Sequence, residues 1–192
     1  ASPFPYVLFA VARALEDAFI AVWSGKADTD RFNRLVLTAG ASWREAALIR
    51  ALAAYRRQSG LDQPQDVQEA AVARYPAVTR LILDLFAARF DPQAHKSLDA
   101  RTKAGAEIEA KFEDAMKGVA SLTDDLVLRR LFHLVRALQR TNFYQTGEDG
   151  AELSWISFKV ASRELADLPE PKPFREIFTS SPKVEGVHLR FG

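Results

Sequence analysis

Val78-Thr79-Arg80-Leu81-Ile82-Leu83-Asp84-Leu85-Phe86-Ala87-Ala88-Arg89-Phe90-Asp91-Pro92 decides the fold class of this 192-residue chain. Val78, Leu81, Ile82, Leu85, Phe86 and Phe90 recur at steps of three and four. That is one face of a helix with 3.6 residues per turn, and Asp91-Pro92 closes it. A helix with so wide an apolar face needs a core to bury it, so its neighbours should be helices or a sheet of the same chain.

Upstream, the same spacing repeats between clear stop signals. Phe4 to Trp23 is apolar except for Arg13, Glu16 and Asp17, which share one narrow stripe. Each charge would cost ~3 kcal/mol at a bilayer centre, so the segment reads as a buried helix of a soluble domain and not as a membrane span. Neither a basic start nor a small-residue cleavage site marks a secretory leader. Asp28, Thr29 and Asp30 offer N-caps for a short helix with Phe32, Leu35, Val36 and Ala39 on one face, stopped by Gly40. Ser42-Trp43-Arg44-Glu45 is a capping box, in which hydroxyl and carboxylate each satisfy the other residue's amide, and it should start a helix running to about Gln58 before Gly60. A further short helix is expected over Val67 to Ala73.

Downstream, Gly105, Ile108, Phe112, Ala115 and Val119 predict one arm of an antiparallel hairpin, with Glu107 to Lys111 and Glu113 to Lys117 as outer ion pairs. Thr123-Asp124-Asp125 would cap the other arm, which buries Val127, Leu131, Leu134, Val135 and Leu138. Near Thr141 the period changes to two. Gly147-Glu148-Asp149-Gly150 is turn chemistry, and strands are expected over Leu153 to Val160, Ile177 to Thr179 and Val184 to Leu189, separated by a connector that Pro169, Pro171 and Pro173 keep extended. The expected architecture is mainly α, a multi-helix domain over 1–145 followed by a short β segment over 146–192.

Composition narrows function by exclusion. Lys plus Arg number 26 against 25 Asp plus Glu, which gives no field for nucleic acid or an anionic membrane. The pairs Arg56-Arg57 and Arg129-Arg130 read as solvated helix faces, and Trp43 and Trp155 as packing anchors. With 48% hydrophobic and 27% charged residues the chain should fold, and with zero cysteines it has no disulfide, thiolate metal site or cysteine nucleophile. A cytoplasmic location is the expectation. His95, His133 and His188 are too scattered for a metal site, and no GxGxxG, GxxxxGK[ST] or GxSxG is present. On these grounds no catalytic, cofactor-binding or metal-binding residue is expected.

Several segments resemble one family. Phe32-Asn33-Arg34-Leu35-Val36-Leu37, Ala39-Gly40, Ser42-Trp43-Arg44-Glu45, Leu85-Phe86, Arg89-Phe90-Asp91-Pro92, Leu128-Arg129-Arg130 and Arg140-Thr141-Asn142-Phe143-Tyr144 are similar, in this order, to the large bacterial NAD-specific glutamate dehydrogenases. The likeness is strongest at Ser157-Phe158-Lys159, Asp167-Leu168-Pro169, Glu176-Ile177-Phe178 and Ser181-Pro182-Lys183-Val184-Glu185-Gly186-Val187-His188-Leu189-Arg190, which look like the entry to the dehydrogenase core. The resemblance implies a segment of a homo-oligomeric enzyme that oxidises glutamate with NAD, linking a regulatory N-terminal region to the catalytic core. Its partners would be the remaining domains of the same polypeptide. By the same resemblance the family's substrate and NAD residues lie beyond Gly192, and Lys183, His188 and Arg190 are strand residues nearest to them. A free-standing helical interaction module is the alternative.

Overall fold

In the computed structural model, which describes residues 4–58, 60 and 62–192, seven α-helices precede a four-stranded antiparallel sheet. The helices are α1 (Phe4–Trp23), α2 (Leu35–Thr38), α3 (Trp43–Gln58), α4 (Gln65–Arg74), α5 (Pro76–Phe90), α6 (Leu98–Met116) and α7 (Leu122–Ala137). A 3-10 turn, Arg31–Arg34, leads into α2 and is capped by Asp30, whose carboxylate accepts from the Phe32 amide at 3.0 Å. The strands are β1 (Leu138–Thr141), β2 (Ile156–Val160), β3 (Arg175–Ser180) and β4 (Glu185–Arg190), paired in chain order.

The capping box forms as its spacing requires. The Glu45 amide donates to Ser42 Oγ at 3.1 Å and the Ser42 amide donates to Glu45 Oε2 at 2.8 Å. Gly40 and Gly60, with φ of 60° and 72°, occupy the left-handed region at the ends of α2 and α3, where a side chain would be strained. The expected face of α5 is core: Val78, Ile82, Leu85 and Phe86 are buried, with Leu81 and Phe90 packed against them. Phe86 meets Phe143 edge-on at 5.2 Å, so the α5 helix is fastened to the segment just after β1.

Four local expectations need correction. α7 is capped by Ser121, whose hydroxyl accepts from the Asp124 amide at 3.3 Å, and not by Thr123; the helix starts at Leu122, so Thr123 already lies inside it. The outer ion pairs of α6 differ as well. Lys117 reaches Asp114 at 3.0 Å, while Glu113 reaches across to Arg129 at 2.8 Å, because an interhelical guanidinium with two donors outcompetes a lysine on the same helix. α6 lies closest to α5 and meets α7 through the stacked rings of Phe112 and Phe132, 3.8 Å apart, and an Arg136–Glu109 pair at 2.6 Å. Trp155 is 44% exposed and is not a buried anchor. α1 forms over the expected residues but is not buried. It packs through Ala18 and Ala21, while Phe9, Phe19 and Trp23 are 67%, 66% and 83% exposed.

The three expected strands are present, and β1 adds a fourth. Its Leu138 continues the apolar register of α7, but the chain turns extended there (φ −69°, ψ 141°) and pairs with β2 through a register irregularity between Leu138 and Arg140. Phe158 and Phe178 face the helices from β2 and β3 and join one hydrophobic cluster that starts at Phe32. β4 is exposed along its whole length. None of the described helices is long and apolar enough to cross a membrane.

Candidate functional site: the polar seam between helices and sheet

Helix α3 carries four polar side chains into the interior, each satisfied by a distant part of the chain. Arg44 is buried and donates through Nε and Nη2 to the Phe143 carbonyl at 3.2 and 3.0 Å, and through Nη1 to the Leu153 carbonyl. Its guanidinium also lies 4.9 Å from the Phe143 ring centroid. Burial lowers its pKa and the Glu152 carboxylate opposes that shift, yet an arginine remains charged at any working pH. Arg50 holds the Asp30 carboxylate at 2.5 and 2.7 Å and the Asn33 side chain at 3.0 Å, fixing the loop ahead of α2.

Tyr55 is packed edge-on against Phe158 and Phe178, with centroids 5.9 and 5.7 Å away, and donates its hydroxyl to Glu176 Oε2 at 2.5 Å. Burial, and then the Glu176 hydrogen bond, raises the phenol pKa well above its ordinary value. Arg56, 1% exposed, donates to Asp62 at 2.5 Å and to the Asp167 carboxylate; Arg130 from α7 reaches Asp62 at 2.5 Å and Asp167 at 3.0 Å. Two guanidiniums and two carboxylates thus form one cluster that joins α3, the α3–α4 loop, α7 and the segment after β2. Burial opposes ionisation of Asp167, but the Arg56 hydrogen bond with the Arg56 and Arg130 charges outweighs it and holds the carboxyl below its ordinary value. Reading Arg56 as part of a solvated face was wrong. Its partners Asp62 and Asp167 make burial tolerable, and Asp167 is 111 positions away.

The histidines stay apart in the chain's architecture: His95 sits in the α5–α6 loop, His133 is exposed on α7 and His188 is exposed on β4. Among the described residues no group of three or more His, Cys, Asp or Glu could hold a metal ion. Lys183 lies in the β3–β4 turn, at a cleft of about 440 Å³ that Arg50 and Arg57 also line, and His188 and Arg190 lie along the open edge strand. Sequence reasoning missed the members of the seam. The available signal was arginine at core-facing positions of α3, where a helix otherwise places apolar residues.

The geometry defines a class of object, a mainly α unit whose helices are locked onto an antiparallel sheet by buried polar pairs. Residues 27–92 match the family described as glutamate dehydrogenase, helical motif 3, and residues 111–192 match the bacterial NAD-glutamate dehydrogenase catalytic domain. The NAD-specific glutamate dehydrogenase of Halomonas elongata is 40% identical over 176 residues, covering 92% of this chain and 11% of that protein. Those of Mycobacterium tuberculosis (40% over 185 residues, 95% of the chain) and Pseudomonas aeruginosa (39% over 178 residues, 93% of the chain) are similarly related, again over 11% of their length. The chain belongs to the bacterial NAD-specific glutamate dehydrogenases, and it spans about a tenth of the length of the relatives it matches.

Proposed function

We propose that this chain is a non-catalytic scaffold segment of an NAD-specific glutamate dehydrogenase. The full-length enzyme would convert glutamate, NAD and water to 2-oxoglutarate, ammonium and NADH. The segment would link a regulatory N-terminal region to the catalytic core, with residues 1–145 as the helical linker and 146–192 as the first strands of the catalytic domain. Its partners would be the rest of the same polypeptide and further copies of the enzyme in a cytoplasmic homo-oligomer.

The seam is the observation that carries this reading. Arg44, Tyr55 and Arg56 all leave one helix and end on groups that belong to or flank the sheet, so a displacement of α3 cannot leave β2 and β3 where they are. A layer so coupled is suited to setting the position of strands that enter a catalytic domain. In the full-length enzyme, Arg44→Ala should lower kcat without removing any group that touches substrate. Unchanged kcat and KM in a correctly assembled Arg44→Ala enzyme would refute the linking role.

One observation favours the second reading, a helical interaction module. α1 turns its alanines inward and its large side chains outward, with Trp23 83% exposed, which is the pattern of a helix buried on both sides once its neighbour is present. A coding sequence that continues past residue 192 into a glycine-rich dehydrogenase core supports the scaffold reading; a natural stop codon there supports the module.

A further inference from the structure

The motif Arg89-Phe90-Asp91-Pro92 takes no part in the seam, yet it borders a cleft of about 410 Å³ where the end of α5, the start of α6 and the α7–β1 junction converge. Arg89, Arg101 and Arg136 line it, and Glu164 is the one carboxylate among its lining residues. Arg101 donates only to peptide carbonyls, those of Ala88, Arg89, Asp91 and His95, at 3.4, 2.8, 2.8 and 3.0 Å. Arg89 donates to the Leu138 carbonyl at 2.9 Å, and its Nε is buried with no hydrogen-bond partner among the described residues. Neither guanidinium has a carboxylate within ion-pair distance among those residues, whereas Arg136 shares Glu109 at 2.6 Å.

The carbonyl bonds have a structural cause, since they cap the C-terminal ends of α5 and α7. Three guanidiniums meet two carboxylates here, Glu164 in the cleft wall and Glu109 on Arg136, and the two helix ends, each worth about half a charge, offset the remainder, so what the cleft offers is hydrogen-bond donors in a near-neutral setting. Gln139 adds polarity. Its Oε1 is taken by Arg175 at 2.7 Å, which leaves the amide donors of that side chain for a ligand. Phe90 and Leu98 supply apolar wall. Convergent N–H donors from arginine and amide side chains in a concave site are the chemistry that binds a small anion.

We infer that this cleft binds a small anion, a carboxylate or a phosphate, held by Arg89 and Arg136 with Arg101 behind them. A ligand there touches α5, α6, α7 and β1 together, so it would tighten the joint between helices and sheet. This deepens the scaffold reading by giving it a regulator, and it rests on that reading only for its consequence, not for binding itself.

Isothermal titration of the 192-residue chain with sodium phosphate and, separately, with sodium succinate, at ionic strength matched with sodium chloride, tests it. Saturable binding of at least one anion is expected. Arg136→Gln and Arg89→Lys should each weaken it by about tenfold or more, the usual effect of losing one charge-assisted contact. Arg31→Gln, exposed on the 3-10 turn ahead of α2, should bind as the parent does. Phosphate alone would identify a phosphate site and succinate alone a carboxylate site. Binding of neither anion at about ten millimolar, or equal affinity in all variants, overturns the inference. Because the readout is heat and not dehydrogenase activity, failure here leaves the scaffold reading standing. Conversely, a scaffold reading disproved by the gene would leave a measured anion site standing.

Discussion

Replacing Tyr55 by phenylalanine removes one oxygen and leaves the ring between Phe158 and Phe178, so the packing contribution is retained and only the hydrogen bond is lost. The partner left behind is Glu176, 8% exposed, whose carboxylate has Tyr55 as its side-chain hydrogen-bond donor. A hydrogen bond to a charged group contributes ~1.5 to 3 kcal/mol, and a buried acceptor left unsatisfied adds its desolvation cost, so Tyr55→Phe should destabilise by ~2 to 3 kcal/mol. In a domain of this size that lowers Tm by roughly 4 to 10 °C. Glu176→Gln keeps an acceptor and should cost under about 1 kcal/mol. In the double variant the Tyr55→Phe penalty should shrink, giving a coupling of at least ~1 kcal/mol in a urea-denaturation cycle. The same bond sets an alkaline limit. The phenol pKa is raised on folding, so its stabilising contribution is complete below the ordinary tyrosine value near ~10 and is lost as pH rises above it. Tyr55→Phe should remove that part of the alkaline slope. A Tyr55→Phe variant within about 0.5 kcal/mol of the parent, or strictly additive single effects, would refute the claim that this bond fastens α3 to the sheet.

Three further outcomes are expected. Leu85→Ala and Phe86→Ala should each cost ~2 to 5 kcal/mol by urea denaturation, since both side chains are in the core, and unchanged midpoints would refute that placement. Ser42→Ala should cost ~1 kcal/mol by loss of the capping box, more than an exposed serine outside it such as Ser24, whose replacement should stay within about 0.5 kcal/mol. Asp167 has a depressed pKa in the folded chain, so its contribution is present above ~4 and is lost as pH falls below that; Asp167→Asn should therefore flatten the stability decline between about pH 5 and about pH 3, measured by urea midpoints across that range.

The helices were legible because burial and the 3.6 period coincide on α5 and α7, and because the Ser42–Glu45 capping box, Gly40 and Gly60 mark the ends of α2 and α3, although α3 itself is buried almost all round. β1 was not legible, since Leu138 stands four residues after Leu134 and so fits a continuing helix; only its pairing with β2, twenty residues on, makes it a strand. The seam was illegible for the same kind of reason. Arg56 looks like half of a solvated basic pair until Asp62 and Asp167 are brought to it by the fold, and Tyr55 gives no sign that its hydroxyl meets Glu176, 121 positions away. α1 shows the converse. Its apolar run predicts burial, but among the described residues Phe9, Phe19 and Trp23 stay exposed. The arginine-lined cleft was not legible, because Arg89, Arg101 and Arg136 come from three helices.

NADH formation from glutamate and NAD, compared between the purified 192-residue chain and the full-length enzyme at equal molar concentration, tests the scaffold account most directly. The account predicts no rate above a no-protein control for the chain, because the scaffold reading puts the hydride-acceptor site and the general acid and base in the rest of the polypeptide, and steady NADH production by the full-length polypeptide. NADH formed by the chain alone, or a full-length polypeptide that forms none, would contradict it.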